Sequence, residues 1–410
     1  MESISGAYGT VRTLTKLLYP LLGLTFGSLQ AQTAPDGSPL DFKLKQTFVN
    51  GLLVMPLASG LEAGQASKMN ATSVSGYGDT RFSQSVGEDM QTALKEVQKF
   101  MSIRHPARPQ AFDLEISFEE KYSGKDGPSA AVACGLLMES AITGKTWDPE
   151  FAVTGDMNAD GSVQPIGGVA AKIRGATRGS CKLVAVPAKN EASVMDVLTM
   201  DGPMPLLKIC VFSIKSFDEA VALASQERDA VIGPAVSEFA IIRDVCLRDP
   251  RAALSTLRSA QGQARLQAVV QKAPHCLSAK HLLMHVQGRA PKTLSLAGSI
   301  QTVDSNGRGL LEALKSDVAR GGGLAMQEDE MRTTLNTLRN LRPKLDNRVW
   351  PYVDSMLKFG DVVRAQLMNP ARSGAGLQSF IQNVNATGSS IETAKKALMS
   401  DPQVVEELGL

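Results

Sequence analysis

Several features are scarce in this 410-residue chain, and each scarcity removes a class of function. Only five cysteines occur, none in a Cys-x-x-Cys pair, which excludes a disulfide scaffold and a zinc ribbon. Their odd number leaves at least one thiol free or intermolecular. Aromatic residues make up 5%, too few for base-stacking platforms along a single nucleic-acid strand. Lys plus Arg numbers 43 and Asp plus Glu 41, so no excess of one sign draws the chain to nucleic acid or to an anionic membrane. No apolar run reaches the ~20 residues that cross a bilayer, so no stable membrane span is expected. Only four histidines occur, His105, His275, His281 and His285, which leaves little material for a Ser-His-Asp arrangement. What is present is an ordinary globular composition, 43% apolar and 20% charged, in a length that suits two or three domains.

The longest uncharged run lies at the N-terminus. Leu17 to Leu29 (LLYPLLGLTFGSL) follows Arg12 and Lys16, has the length of a signal-peptide core, and is followed by small residues at Ala31 and Thr33. A signal peptide over 1–31, a linker over 32–41 and an exported, periplasmic or secreted protein are therefore expected.

From 42 to 226 short apolar runs alternate with helical patterns. Strands are predicted at 48–57, 112–118, 151–154, 183–186 and 209–214. Helices are predicted at 85–101, 130–142, 169–177, 192–198 and 217–223. From 227 to 410 only helical spacing remains, as in Met331, Leu335, Leu338, Leu341 and Leu345, which predicts seven to nine helices. Ala279, Leu283, Val286 and Pro291 fit the second helix of a tetratricopeptide repeat, but no second copy stands in register. The fold class is α+β followed by an all-α region.

Candidate chemistry concentrates between 122 and 190. In Lys125-Asp126-Gly127-Pro128-Ser129-Ala130, Gly127 permits a tight turn and Pro128 fixes φ ahead of a helix, which places Ser129 at a helix N-terminus. Unpaired N–H groups and the positive end of the helix dipole favour a nucleophilic oxygen and an oxyanion there. An N-cap is the plainer role for such a serine. The candidate base is Lys172, whose Ala, Val, Ile and Gly neighbours would give it a nearly apolar helix face after Pro165-Ile166-Gly167-Gly168; solvent exposure is the plainer state of a lone lysine on a helix. Burial there lowers a lysine from its usual ~10.4 toward neutrality.

Two other motifs are weaker. Gly144-Lys145-Thr146 matches the end of a phosphate-binding loop, but no strand precedes it and position 139 is Glu, so no nucleotide site is expected. His281 and His285 stand at i, i+4, yet Leu282 occupies the place of a catalytic Glu; zinc-protease chemistry is excluded and no metal is assigned.

Taken in order, KDGPSAAVACG (125–135), TGDMNADGSVQPIGGVAAK (154–172) and LVAVPAKNE (183–191) resemble the proteolytic domain of the Lon protease family. The resemblance covers about 42–226, and Ser129 and Lys172 are 43 residues apart, as the family's dyad requires. It implies an α+β Lon-type proteolytic domain with Ser129 as nucleophile, Lys172 as general base and Thr154 orienting the lysine. Backbone groups of Pro128, Ser129 and Ala130 would form the oxyanion hole. Two departures stand out: Ala131 replaces the family's Gly after the serine motif, and Asp156 replaces its Glu. The family's usual ATPase has no counterpart in this sequence. The expected activity is therefore an ATP-independent serine endopeptidase without cofactor, acting on unfolded or flexible proteins or peptides. The helical half is expected to serve recognition or assembly, and self-association into a homo-oligomer is left open. The alternative is a non-hydrolytic Lon-like scaffold or binding protein that acts through its helical half.

Overall fold

The computed structural model describes residues 46–56, 62–107, 112–120, 125–315, 326–370 and 373–408. The expected signal peptide and linker lie outside the described residues. The chain begins with β1 (Gln46–Pro56), β2 (Glu62–Ser75) and β3 (Thr80–Phe82), followed by α1 (Glu88–Arg104) and β4 (Phe112–Phe118). A 3-10 turn, Pro128–Ala130, leads into α2 (Ala131–Thr143). Then come β5 (Phe151–Val153), β6 (Asp156–Met157), β7 (Val163–Gln164), α3 (Val169–Arg178) and β8 (Leu183–Pro187). The mixed region ends with α4 (Glu191–Asp201), α5 (Met204–Lys208), β9 (Cys210–Ile214) and α6 (Phe217–Ala224).

Seven strands form one sheet in the order β3-β4-β2-β1-β5-β8-β9. β1, β2 and β4 pair antiparallel, while β5, β8 and β9 continue from β1 in parallel. The two halves read differently for a physical reason. Every residue of β5 and β8 is buried, so both are short continuous apolar runs, as parallel strands covered on both faces must be. β2 instead buries alternate positions, Ser67, Met69, Ala71 and Ser73. Two of those four are serines, so the period-two signal is faint, and β2 is missing from the strands predicted above. α2 is apolar on all sides and buried over ten consecutive residues, Ala131 to Ser140, as a helix enclosed by its neighbours has to be. Its Glu139 is met by Arg104 Nε at 3.0 Å and His105 Nε2 at 2.7 Å.

Ten α-helices follow among the described residues, rather than seven to nine. They are α7 (Ile232–Arg248), α8 (Ala253–Arg258), α9 (Ala260–Lys272), α10 (Leu277–Val286), α11 (Leu296–Asn306), α12 (Arg308–Lys315), α13 (Glu328–Leu341), α14 (Trp350–Met368), α15 (Gly374–Met399) and α16 (Pro402–Leu408). No helix among the described residues is long and apolar enough to cross a membrane.

Among the described residues strands cease at β9, as the sequence pattern indicates, yet the apolar core does not divide near 226. One cluster runs from Val49 of β1 to Leu283 of α10 and takes in Phe239 of α7 and Leu266 of α9. A second runs from Leu294 to Val404. The reason lies at the sheet edge, where β9 has a free side whose polar groups need partners. The start of α10 supplies them. Ser278 Oγ accepts from Val211 N at 2.9 Å and donates to Ile209 O at 2.7 Å, and His275 O accepts from Ser213 N at 2.9 Å. α7 to α10 thus complete the α+β layer, and packing separates the chain between α10 and α11.

Candidate active site

Ser129 sits in the turn that Gly127 and Pro128 make possible. Gly127 has φ of 96°, a left-handed value that an L side chain rarely adopts. Ser129 is not the N-cap of α2; Ala130 holds that position, and no side chain caps it. The plainer role for this serine is therefore unfilled. Its backbone is fixed instead by the link between β5 and β6: Ser129 O accepts from Gly155 N at 2.9 Å and from Thr154 Oγ1 at 3.2 Å. Val132 N donates to Gly155 O at 3.2 Å. Pro128 has no N–H, so it cannot contribute to an oxyanion hole as expected. Gly127 N is spent on Asp126 Oδ1 and Ala131 N on Pro128 O. The donors left in the turn are those of Ser129 and Ala130.

Lys172 is 3% exposed, in the first turn of α3. Two features put it there. Gly168, with φ of 69°, turns the chain into the helix. Gly64 of β2 then lets the helix lie directly on the sheet, since a Cβ on Gly64 would sit 1.8 Å from Ala171 O and one on Gly175 would sit 2.3 Å from Gly64 C. The loop ahead of α3 is held by Asn190, whose Oδ1 accepts from Ile166 N at 2.9 Å and whose Nδ2 donates to Ile166 O at 3.0 Å. The Pro187-x-x-Asn190 spacing was the only sequence sign of this clamp. Thr154 is fully buried, and its one hydroxyl proton goes to Ser129 O. Toward an amine it can act only as an acceptor.

Ser129 and Lys172 line one cleft of about 760 Å³. β1 contributes Leu53 to Met55, and the 125–128 and 165–168 loops close two sides. The far wall comes from α11 and α12, which sequence reasoning did not connect with the site. What fixes that wall is Asp196 of α4, which accepts from Ser295 N at 2.7 Å and from Ser295 Oγ at 2.6 Å. Ser295 Oγ in turn caps α11 at Gly298 N, 3.0 Å away. Within the cleft, burial pushes Asp156 above its usual range, against the pull of the Met157 N–H. Lys125 is a second buried lysine on the cleft wall, and its Nζ donates to Glu120 O at 3.0 Å.

The remaining candidates lie elsewhere. Gly144 is the left-handed C-cap of α2, so Gly144-Lys145-Thr146 follows a helix instead of heading one, and its N–H groups form no phosphate cradle. His281 is buried with Nε2 3.6 Å from the Glu191 carboxylate. Burial, then Arg258, push His285 below its usual value. The five cysteines are buried free thiols. Burial raises Cys134 to about 12 and Cys181 to about 11, the opposite of what a thiol nucleophile needs.

Comparison with known proteins points the same way. Residues 51–213 match the Lon protease (S16) C-terminal proteolytic domain. The Lon protease of Desulforamulus reducens is 31% identical over 123 residues, which cover 30% of this chain and 15% of that protein. That of Escherichia coli is 28% identical over 159 residues, 37% of this chain and 20% of the relative. That of Helicobacter pylori is 27% identical over 182 residues, 38% and 21% respectively. The chain thus spans about a fifth or less of the length of these relatives.

Proposed function

The chain carries a Lon-type proteolytic domain over residues 51–213, and from that premise we propose that it is a serine endopeptidase in which Ser129 attacks the peptide carbonyl and Lys172 takes its proton. The observation that carries this reading is the placement of the Ser129 turn and the buried Lys172 on one cleft. Removal of an amine from water favours its uncharged form, which can accept the serine proton. The Ser129 and Ala130 N–H groups then face the charge that grows on the carbonyl oxygen. Thr154 ties the serine backbone to the strand behind it and offers its lone pairs to an amine. No cofactor takes part in these steps.

Ser129→Ala and Lys172→Ala are each expected to abolish hydrolysis of casein, with circular dichroism unchanged. The double variant should be no worse than either single one, because the two groups act as a unit. A serine-directed fluorophosphonate should label the wild-type chain and leave Ser129→Ala unlabelled. Substantial turnover by Lys172→Ala would place the base elsewhere. Absence of labelling would favour a non-hydrolytic binding role.

The proposal extends to substrate state. Stable domains resist opening by about 5–15 kcal/mol, so unaided cleavage follows the fraction of substrate already open. Casein should be cut, a tightly folded domain should not, and ATP should change neither rate. Export is likewise proposed, on the support of the uncharged run Leu17–Leu29 behind Arg12 and Lys16. A reporter fused after residue 40 should leave the cytoplasm of a bacterial host.

A further inference from the structure

The wall of the cleft formed by α11 and α12 has an unusual face. Gln301, Asp304 and Ser305 of α11 and Arg308, Leu311 and Glu312 of α12 all line the cleft, and within each helix the spacing of 3 and 1 puts the three residues on one face. A stripe turned toward the body of a protein is ordinarily apolar. This one is polar at five of six positions, and the Asp196–Ser295 contact ties the start of α11 to α4.

Most charged groups on the cleft are held by partners within the protein. Glu120 accepts from Gln65 Nε2 at 2.5 Å and from Ser67 Oγ at 2.6 Å. Asp126 accepts from Gly127 N at 2.8 Å and Met90 N at 3.3 Å. Asp156 accepts from Met157 N. Asp304 accepts from Tyr352 Oη at 2.5 Å and Lys395 Nζ at 2.7 Å. Lys125 donates to Glu120 O. Arg308 alone, among the charged groups that line the cleft, is half-buried and makes no ion pair or side-chain hydrogen bond among the described residues. Glu312, one turn further along at the exposed rim, does not pair with it. A residue on the cleft wall thus carries five guanidinium donors in a fixed fork with no acceptor among the described residues, and a fork of that shape matches a carboxylate.

We propose that Arg308 is a substrate-binding residue that receives a carboxylate of the peptide being cleaved, so that the helical region gives the proteolytic site a preference for acidic substrates. The inference rests on the peptidase reading above and names the substrate class of the same cleft. The carboxylate could belong to a Glu or Asp side chain or to the end of the chain.

The test uses the full chain and quenched fluorescent peptides in which a single Glu is walked through a neutral sequence. A Gln partner is made at each position, and every peptide is made with a free and an amidated C-terminus. At one position, or with the free terminus, kcat/KM should exceed that of the uncharged partner by about tenfold or more, the usual scale of a charge-assisted hydrogen bond. A Glu position identifies a side-chain subsite and the free terminus a chain-end subsite. Arg308→Gln should bring the ratio near one, Arg308→Lys should retain part of it, and Arg308→Glu should invert it toward a Lys-bearing peptide. The ratio is taken within one protein, so a general loss of stability does not move it. Wild-type ratios near one at every position would overturn the proposal and leave the peptidase reading intact. If the wild type cleaves no peptide, the peptidase reading fails, and fluorescence anisotropy of the same labelled peptides decides on Arg308. Tenfold tighter binding of the acidic member would uphold it, and equal binding would overturn it.

Discussion

Asn190 does with one side chain what a neighbouring strand does with a peptide unit: it satisfies both the N–H and the C=O of Ile166, and through them steadies the loop that turns into α3. Asn190→Ala would leave two buried backbone groups unpaired, at about 1–3 kcal/mol each. A loss of about 2–4 kcal/mol is expected in urea denaturation. The turn at Gly168 would shift with the loop, and Lys172 with it, so kcat/KM for a peptide should fall by about tenfold or more. A variant as active as the wild type would remove the loop from the machinery. Asn190→Asp keeps the acceptor and loses the donor, and it should be impaired for the same reason.

At the scale of elements, the contact of α3 with β2 is backbone against backbone. Gly64→Ala would set a methyl group 1.8 Å from Ala171 O, where no flexible side chain can yield. A cost of about 3 kcal/mol is expected, with peptidase activity reduced in the fraction that folds. Equal thermal midpoints for Gly64→Ala and wild type would show that α3 can lift away freely. A second link joins α4 to α10. Glu191 lies 2.6 Å from Lys280 Nζ and 3.6 Å from His281 Nε2, and His281 first, then Lys280, lower its carboxyl from 4.5 to about 2. A carboxyl lowered on folding stabilises the fold above its unfolded value and loses that contribution as pH falls through the folded one. Glu191→Gln should therefore show a smaller loss of stability than wild type between about pH 4.5 and 2. An identical acid profile would count against the link.

These elements were not equally legible in the sequence. The fully buried strands β5 and β8 and the nearly buried β9 stand out as apolar runs, and α2 as an apolar helix. Ser129 and Lys172 stand out because glycine and proline mark their turns. β2 was missed because its buried face is built from Ser67, Ala71 and Ser73 beside Met69, small residues that let neighbouring layers approach closely without raising hydropathy. Asp196 and Ser295 are 99 residues apart, and the wall they anchor is set by tertiary packing that no local pattern records.

For the whole molecule, the family match at 51–213 marks less than a folding unit. A chain that stops at 226 keeps every described strand but strips β9 of Ser278 and His275 and exposes the core surface that Phe239 and Leu266 otherwise cover. Such a fragment is expected to be aggregated or molten. A chain that stops at 288 retains the first cluster and should melt cooperatively, though without the α11–α12 wall. Calorimetry of the two fragments checks this. A cooperative transition for 1–226 would restore the boundary read from the change in secondary-structure pattern.

The central strand also sets an order of events. β1 pairs with β2 in one antiparallel hairpin, but its other edge waits for β5, where Asn50 meets Ala152. The hairpin is complete only at Ser75, 77 positions before Ala152, which at roughly 5–20 residues per second of synthesis is about 4–15 s. During that interval the β1 edge of the completed hairpin stays bare, and the β2 edge is bare as well until β4 emerges; such an edge is the kind of template onto which a second nascent chain can add. Closely spaced ribosomes on one message would bring such hairpins together. A slow stretch of translation between 75 and 150 would lengthen the exposure, whereas one placed after 153 would not.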